Sequence, residues 1–189
     1  GNISVYDVNN MTIVKSWKAH EGSITHILAL DQLFVTASSL DSSIKIWDIT
    51  SDDPLTVLQT SEQVELLTLS ASKDCFTSMD AQGNVTNWDS KSFTSMTQLK
   101  LPTNVSSIQS LNCNFMIVTY TDNNRPELWD LSQQKVVHHF HPIVGCLKSK
   151  GITKTTFDGM SLFAVIPDGP NQEITLYEFI SNQMPTKFQ

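Results

Sequence analysis

Ser43-Ile44-Lys45-Ile46-Trp47-Asp48 decides the reading of this chain. It is apolar at alternate positions, holds two β-branched isoleucines and ends in Trp-Asp, which is the pattern of a half-buried strand. The pattern returns as Asn84-Val85-Thr86-Asn87-Trp88-Asp89 and as Pro126-Glu127-Leu128-Trp129-Asp130. Weaker copies stand at Ile3-Ser4-Val5-Tyr6-Asp7 and Ile174-Thr175-Leu176-Tyr177-Glu178. The marker aromatics fall at 6, 47, 88, 129 and 177, so three successive steps are 41 residues and the last is 48. A second ladder, Trp17, Leu58, Leu99 and Phe140, follows each marker by 11 residues. A third pairs Ile24 with Ile27, Val64 with Leu67 and Val105 with Ile108, and these are expected to face inward. Three registers repeating every 40 or 41 residues are the signature of a repeat architecture.

The 189 residues are enough to bury a sizeable core. Net charge is −7, and Arg125 is the only arginine among 12 basic residues. Phosphate recognition favours arginine forks and clustered positive charge, so the composition argues against nucleic acid and against direct membrane binding. Cys75, Cys113 and Cys146 are odd in number and widely spaced, which fits neither a disulfide framework nor a metal site and suggests a reducing intracellular compartment, cytoplasmic or nuclear. No apolar run is long enough to span a membrane, and no signal-peptide pattern opens the chain. The chain enters a strand almost at once after Gly1, so the true N-terminus is expected to lie elsewhere.

In chain order, strands are expected at 3–8, 12–17, 23–30 and 33–39, the last buried on both faces, and then at the Trp47 marker. The unit repeats at about 55–59, 64–70, 75–79 and 84–88. It repeats again at 95–99, 105–111, 115–120 and 126–130, where Pro126 removes a backbone donor, so that the strand should start late or carry a bulge. The last set falls near 135–140, 151–157, 161–166 and 173–178. Seven extra residues lie between Phe140 and Tyr177 and are placed around Gly145 to Gly151, with some in the Gly169-Pro170 turn. No stretch shows a 3.6-residue apolar stripe. Many short strands at even spacing predict an all-β fold, and units this small must pack on one another.

At this point the residues resemble the WD-repeat β-propeller family over essentially the whole chain. The best copy runs through Ala19-His20, Val35-Thr36-Ala37-Ser38-Ser39-Leu40-Asp41 and Ile44-Lys45-Ile46-Trp47-Asp48. It is similar to the family's Gly-His, Ser-x-Asp and Trp-Asp pattern, with Ala19 in place of Gly. The resemblance implies four-stranded antiparallel blades, each repeat giving the outer strand of one blade and the three inner strands of the next. It also implies a structural hydrogen-bond network of His20, Ser39, Asp41 and Trp47, in which Ser39 accepts from the indole and passes the bond to His20. The other repeats depart at these positions, with Gln82 and Asn123 in place of the aspartate, so they are expected to be fixed by packing alone.

The family commonly closes with about seven blades. Residues 1–189 are therefore expected to form one partial propeller, the C-terminal part of a roughly seven-bladed ring. A half blade at 1–18 would precede repeats whose marker strands end near 48, 89, 130 and 178. The missing blades would lie upstream or come from another chain.

His20, Ser39 and Asp41 can also be read as a catalytic triad. Their spacing matches the structural network, Trp47 completes it, and no oxyanion hole is evident, so the structural reading is preferred. His138, His139 and His141 suggest a metal site, but they fall on the outermost strand with no acidic or Cys ligand close in sequence. Neither a metal nor another cofactor is expected. Asn123, Asn124 and Arg125 lie in a turn on the same rim as His20 and Asp41, where the resemblance implies peptide binding. Lys18, Glu21 and Asp168 share that rim. A paired-arginine lipid motif is absent, as is an arginine two places after any Trp-Asp.

The expected function is that of a non-catalytic protein–protein interaction scaffold in a multi-protein complex, with other proteins or peptides as partners. The alternative is the terminal propeller of a large multidomain enzyme or of a trafficking or regulatory protein whose activity lies upstream.

Overall fold

A computed structural model describes side chains for residues 1–140 except Ser39, Ala71, Ser72, Asn123 and Asn124. Beyond these it describes the strands within 149–157, 160–167, 175–179 and 186–187. The described residues contain no helix. A two-stranded sheet, β1 (Asn2–Asp7) and β2 (Thr12–Lys18), opens the chain. Four four-stranded sheets follow. They are β3 (Ile24–Leu30), β4 (Leu33–Ser38), β5 (Ser43–Asp48) and β6 (Thr56–Gln59), then β7 (Val64–Leu69), β8 (Cys75–Asp80), β9 (Asn84–Asp89) and β10 (Ser95–Lys100). Next come β11 (Val105–Ser110), β12 (Phe115–Tyr120), β13 (Glu127–Asp130) and β14 (Lys135–His139). The last sheet is β15 (Ser149–Phe157), β16 (Met160–Pro167), β17 (Thr175–Phe179) and β18 (Thr186–Lys187). In each, neighbours in sequence are neighbours in the sheet.

The marker sequences are the third strands, β5, β9, β13 and β17, and β1 is a fifth copy. β13 begins at Glu127, one residue after Pro126, as the missing backbone donor requires. β4 and β8 are buried almost throughout because each lies between two strands of its sheet. The extra residues expected from Gly145 lie outside the described residues up to the start of β15.

The period is written into the backbone as well as the side chains. Ala19, Thr60 and Leu101 each donate their N–H to the carbonyl of Gly1, Ser42 and Gly83, at 2.9, 2.9 and 2.8 Å. Both series step by 41. The acid after each aromatic caps the turn that follows. Asp7 Oδ1 accepts from Asn9 N at 2.8 Å, Asp48 Oδ1 from Thr50 N at 2.8 Å, Asp89 Oδ1 from Ser92 N at 2.7 Å and Asp130 Oδ1 from Gln133 N at 3.0 Å. A short carboxylate that receives backbone N–H groups two or three residues on is an Asx-type turn. The Thr50 N–H holds the Asp48 carboxyl below the usual carboxylate range, and the Ser92 N–H does the same for Asp89.

The chain divides into two compact units, Gly1–Leu67 with Ser78–Gln82, and Thr68–Thr77 with Gly83–Gln189. The first has its core in Val35, Ala37, Ile44, Ile46, Trp47 and Leu58. The second has its core in Phe76, Val85, Met116, Val118, Leu128 and Phe140. Val64, Leu67 and Ile108 are buried as expected, but Ile27 is exposed. Apolar character alone places Ile27 inside, whereas the structure leaves it exposed.

Gly83 sits at φ +80°, and a Cβ there would stand 2.4 Å from the Leu101 carbonyl oxygen. That oxygen is backbone and cannot swing away. Gly83→Ala is expected to cost more than about 1 kcal/mol, from the positive φ alone, with the clash added. Chemical denaturation checks this, and an unchanged midpoint would show that the turn relaxes.

Candidate functional site

The residues that look most like chemistry meet in the β3–β6 sheet. The Trp47 Nε1–H donates to Thr36 Oγ1 at 2.8 Å. Thr36 Oγ1 lies 2.7 Å from His20 Nε2, and His20 Nδ1 lies 2.7 Å from Asp41 Oδ2. One proton arrangement accounts for all three of these bonds. Thr36 accepts from the indole and donates to Nε2, and a neutral His20 donates from Nδ1–H to the carboxylate. Thr36 is fully buried in β4, His20 is buried just after β2, and Asp41 stands half-buried before β5.

Burial lowers the His20 pKa below its ordinary value, against the Asp41 hydrogen bond and charge, which raise it. The ring is therefore neutral at neutral pH. Burial pushes the Asp41 carboxyl up, but the hydrogen bond from His20, the charge that His20 carries once it is protonated at low pH, and hydrogen bonds from Ser43 and Ser38 together outweigh it, and the net direction is down. The aromatic surroundings are tight. Phe34 stacks on Trp47 at 6.2 Å between ring centroids, Trp17 tilts against it at 5.8 Å and His20 meets it edge-on at 6.4 Å. Lys45 Nζ donates to the Ala19 carbonyl at 2.7 Å, which ties the loop before β3 to β5.

His20, Asp41 and Trp47 are thus brought together, and the hydroxyl between imidazole and indole belongs to Thr36. Ser39, which the sequence reading put there, lies outside the described residues. The signal was present in the sequence. Thr36 and Thr77 stand 41 apart, each a polar residue in the middle of an otherwise buried strand.

The expectation that the other repeats rely on packing alone is corrected by the structure. In the second, Thr77 Oγ1 donates to Asn87 Oδ1 at 3.2 Å, and Asn87 Nδ2 to the Cys113 carbonyl at 2.8 Å. In the third, Glu127 Oε2 accepts from Tyr120 OH at 2.6 Å and from Trp129 Nε1 at 3.1 Å, while His139 Nδ1 lies 3.3 Å from Glu127 Oε1. Different residue types carry these bonds, so a search for His and Asp alone passes over them.

On the rim, exposed Lys18 and Glu21 pair at 2.6 Å, and the Lys18 bond and charge hold the Glu21 carboxyl below the usual range. Exposed Arg125 donates from Nε to the Phe140 carbonyl at 3.0 Å. Asn123, Asn124 and Asp168 lie outside the described residues. His138 packs edge-on against Phe140 at 4.9 Å and His139 faces Glu127, while His141 is not among the described residues. Among the described residues no group of three or more His, Cys, Asp or Glu is placed to hold a metal ion. Burial, with Cys75 beside it, pushes the Cys113 thiol up to about 12, so it stays protonated and non-nucleophilic at neutral pH. No described helix is long and apolar enough to cross a membrane.

Two outcomes test the buried chain. Trp47→Ala is expected to cost about 3–5 kcal/mol and more than Trp88→Ala, because it also strips Thr36 of its donor. Denaturation curves giving the reverse order would contradict this. Since burial depresses the His20 and His26 pKa values, their stabilising neutral forms are complete above the unfolded value, about 6.5. That stability is lost as pH falls from there through the lowered folded values. Unfolding free energy should drop between about pH 7 and pH 5, and His20→Gln should flatten part of the slope. An unchanged slope would mean that His20 is not held neutral.

No family model matches the chain. Over 49 residues, 26% of this chain, it is 33% identical to Protein GFS12 of Arabidopsis thaliana, and the match is 3% of that protein. Similar solved structures include U3-55K, at 16% identity and TM-score 0.65, covering 90% of this chain and 53% of that one. The WD40 repeats of RRP9 are similar at 17% and TM-score 0.64, covering 90% and 52%. A chain of the mitotic checkpoint complex is similar at 15% and TM-score 0.71, covering 100% and 59%. The chain thus spans little more than half of these structures and a small fraction of the curated relative. Repeated four-stranded antiparallel sheets, a Trp-Asp marker on each third strand from β5 to β13, and this likeness lead to one conclusion: the chain has the fold of the WD-repeat β-propellers.

Proposed function

We propose that the chain is a non-catalytic protein-interaction module, a WD-repeat scaffold inside a multi-protein assembly and within the cell. The observation that carries the reading is the use made of His20. Both ring nitrogens are engaged within the blade, to Thr36 and Asp41, so the one arrangement that resembles a catalytic set is spent on holding strands together. The likeness to a chain of the mitotic checkpoint complex, which is an assembly by its description, supports the same reading. Cys75 and Cys113 are free thiols, which suits a reducing compartment. Partners would be proteins or peptides rather than nucleic acid or a membrane, and the ring would be completed by blades outside residues 1–189.

The rim charges are the proposed contact. Lys18 and Glu21 present an exposed ion pair beside the buried network, and Arg125 presents a guanidinium anchored through Nε. Charged hydrogen bonds across an interface contribute about 1.5–3 kcal/mol, so Lys18→Ala or Arg125→Ala should weaken a captured partner about tenfold or more. Quantitative pull-downs against the unaltered chain check this, with thermal melts to show that the Phe140 contact of Arg125 is not the cause. Unchanged binding by both variants would count against the rim.

A second reading is favoured by the match to Protein GFS12, in which the aligned residues are a very small part of a long protein. The chain would then be the propeller of a large multidomain protein whose activity lies elsewhere in that protein. An open reading frame containing propeller repeats alone would remove this reading.

A further inference from the structure

Phe34, Cys75 and Met116 stand 41 apart, each in the second strand of its sheet. Phe34 is opposite Trp47 and Met116 is opposite Trp129, so two of these places hold a large side chain against the marker tryptophan. The place between them holds a small thiol. Cys75 is nonetheless fully buried, and Trp88 takes its stacking partner from Phe76, the next residue of β8, at 6.3 Å. What Cys75 meets is a second thiol. Cys113, in the turn between β11 and β12, is hydrogen-bonded to it, sulfur to sulfur. Both cysteines are free.

The backbone on each side of this contact is fixed. Cys75 lies in a strand with a neighbour on both edges. Its N–H donates to Ser70 Oγ at 3.3 Å and its carbonyl accepts from Ser70 N at 3.0 Å. Around Cys113, Asn112 Oδ1 accepts from Asn114 N at 2.8 Å and from Phe115 N at 2.9 Å, an Asx-type turn with Cys113 inside it. The Cys113 carbonyl accepts from Asn87 Nδ2 of β9 at 2.8 Å. Gln109 Nε2 of β11 donates to Thr68 Oγ1 of β7 at 2.9 Å, a further bond between the same two sheets. All of these residues belong to the second compact unit. Burial is uneven, since Cys75 has no exposed surface and Cys113 is half-buried.

We propose that Cys75 and Cys113 are a redox-sensitive pair that hydrogen peroxide closes to a disulfide, tying β8 of one sheet to the β11–β12 turn of the next. The bond to Cys75, and the charge that Cys75 acquires on ionising, hold the proton on Cys113. The monoanion of the pair is therefore a Cys75 thiolate with Cys113 as its donor. The Cys75 sulfur attacks one peroxide oxygen and the O–O bond breaks. Hydroxide leaves and takes up the proton that Cys75 released, giving water. The Cys113 sulfur then attacks the sulfenic sulfur and the S–O bond breaks, and the hydroxyl leaves with the Cys113 proton as a second water. Two electrons pass from the two sulfurs to peroxide. The oxidant must be small, because the Cys75 sulfur is buried behind the half-buried Cys113. Peroxide meets that condition, and a bulky disulfide such as oxidised glutathione does not. The pair acts in the same way whether or not the rim binds a partner.

The test uses the chain with Cys146→Ser, so that Cys75 and Cys113 are its only thiols. After prolonged treatment with excess hydrogen peroxide at neutral pH and digestion without reductant, mass spectrometry should find Cys75 joined to Cys113 within one chain. Dithiothreitol should restore both thiols. Amide exchange at residues 111–115 should slow about tenfold in the oxidised chain, because the turn is then pinned to β8. Cys113→Ser, a change at a half-buried turn position, should give neither the joined peptides nor the slowing, with a thermal melt to show that it folds. Cys113 oxidised to sulfinic acid with Cys75 left reduced would overturn the proposal. So would two free thiols after peroxide, a link between two chains, or a joined pair that forms only in denaturant.

Discussion

The hydrogen bond from the Trp47 indole to Thr36 is the contact on which the best-formed sheet depends. It joins a second strand to a third directly. The bond passes on through His20 to Asp41, which reaches the loop before β3 and the turn before β5. Three segments distant in sequence are therefore held by one chain of protons. A buried polar chain stabilises through matched donors and acceptors, and a neutral His20 is the state that matches the two bonds at its ring. The same burial that makes the contact costly to break is what keeps the ring uncharged.

The 41-residue period then has a physical basis beyond hydrophobic spacing. Each unit must close a turn after its marker strand, and an aspartate there accepts the N–H groups of that turn. Asp7, Asp48, Asp89 and Asp130 all do so. The aromatics before Asp48 and Asp89 are buried against Phe34 and Phe76, and the backbone bonds at Gly1, Ser42 and Gly83 return the outer strand to the start of the marker strand. Side-chain chemistry and backbone geometry repeat together because neither works without the other.

Much of this was legible in residues alone. Alternation in Ser43–Asp48 and its copies gave strands close to those observed, since the side-chain period of a strand is visible wherever one face is buried. Pro126 correctly delayed β13. The bridging hydroxyl was assigned to Ser39 on the strength of a motif, whereas a buried threonine repeated at 36 and 77 was the better physical clue. Glu127 escaped notice because a half-buried carboxylate bonded to Tyr120 and Trp129 has no local signature. Apolar character points Ile27 inward, yet burial is decided by what lies opposite.

Both ring nitrogens of His20 are engaged inside the sheet, and groups locked by such hydrogen bonds are not available to a substrate. The most direct test is a 15N NMR spectrum of the histidine rings at neutral pH. For His20 the account predicts a neutral ring, protonated at Nδ1, with Nε2 shifted as an acceptor of the Thr36 hydroxyl. A ring protonated on both nitrogens, or on Nε2 alone, would contradict it, because Thr36 could not then serve both Trp47 and His20 in the way described.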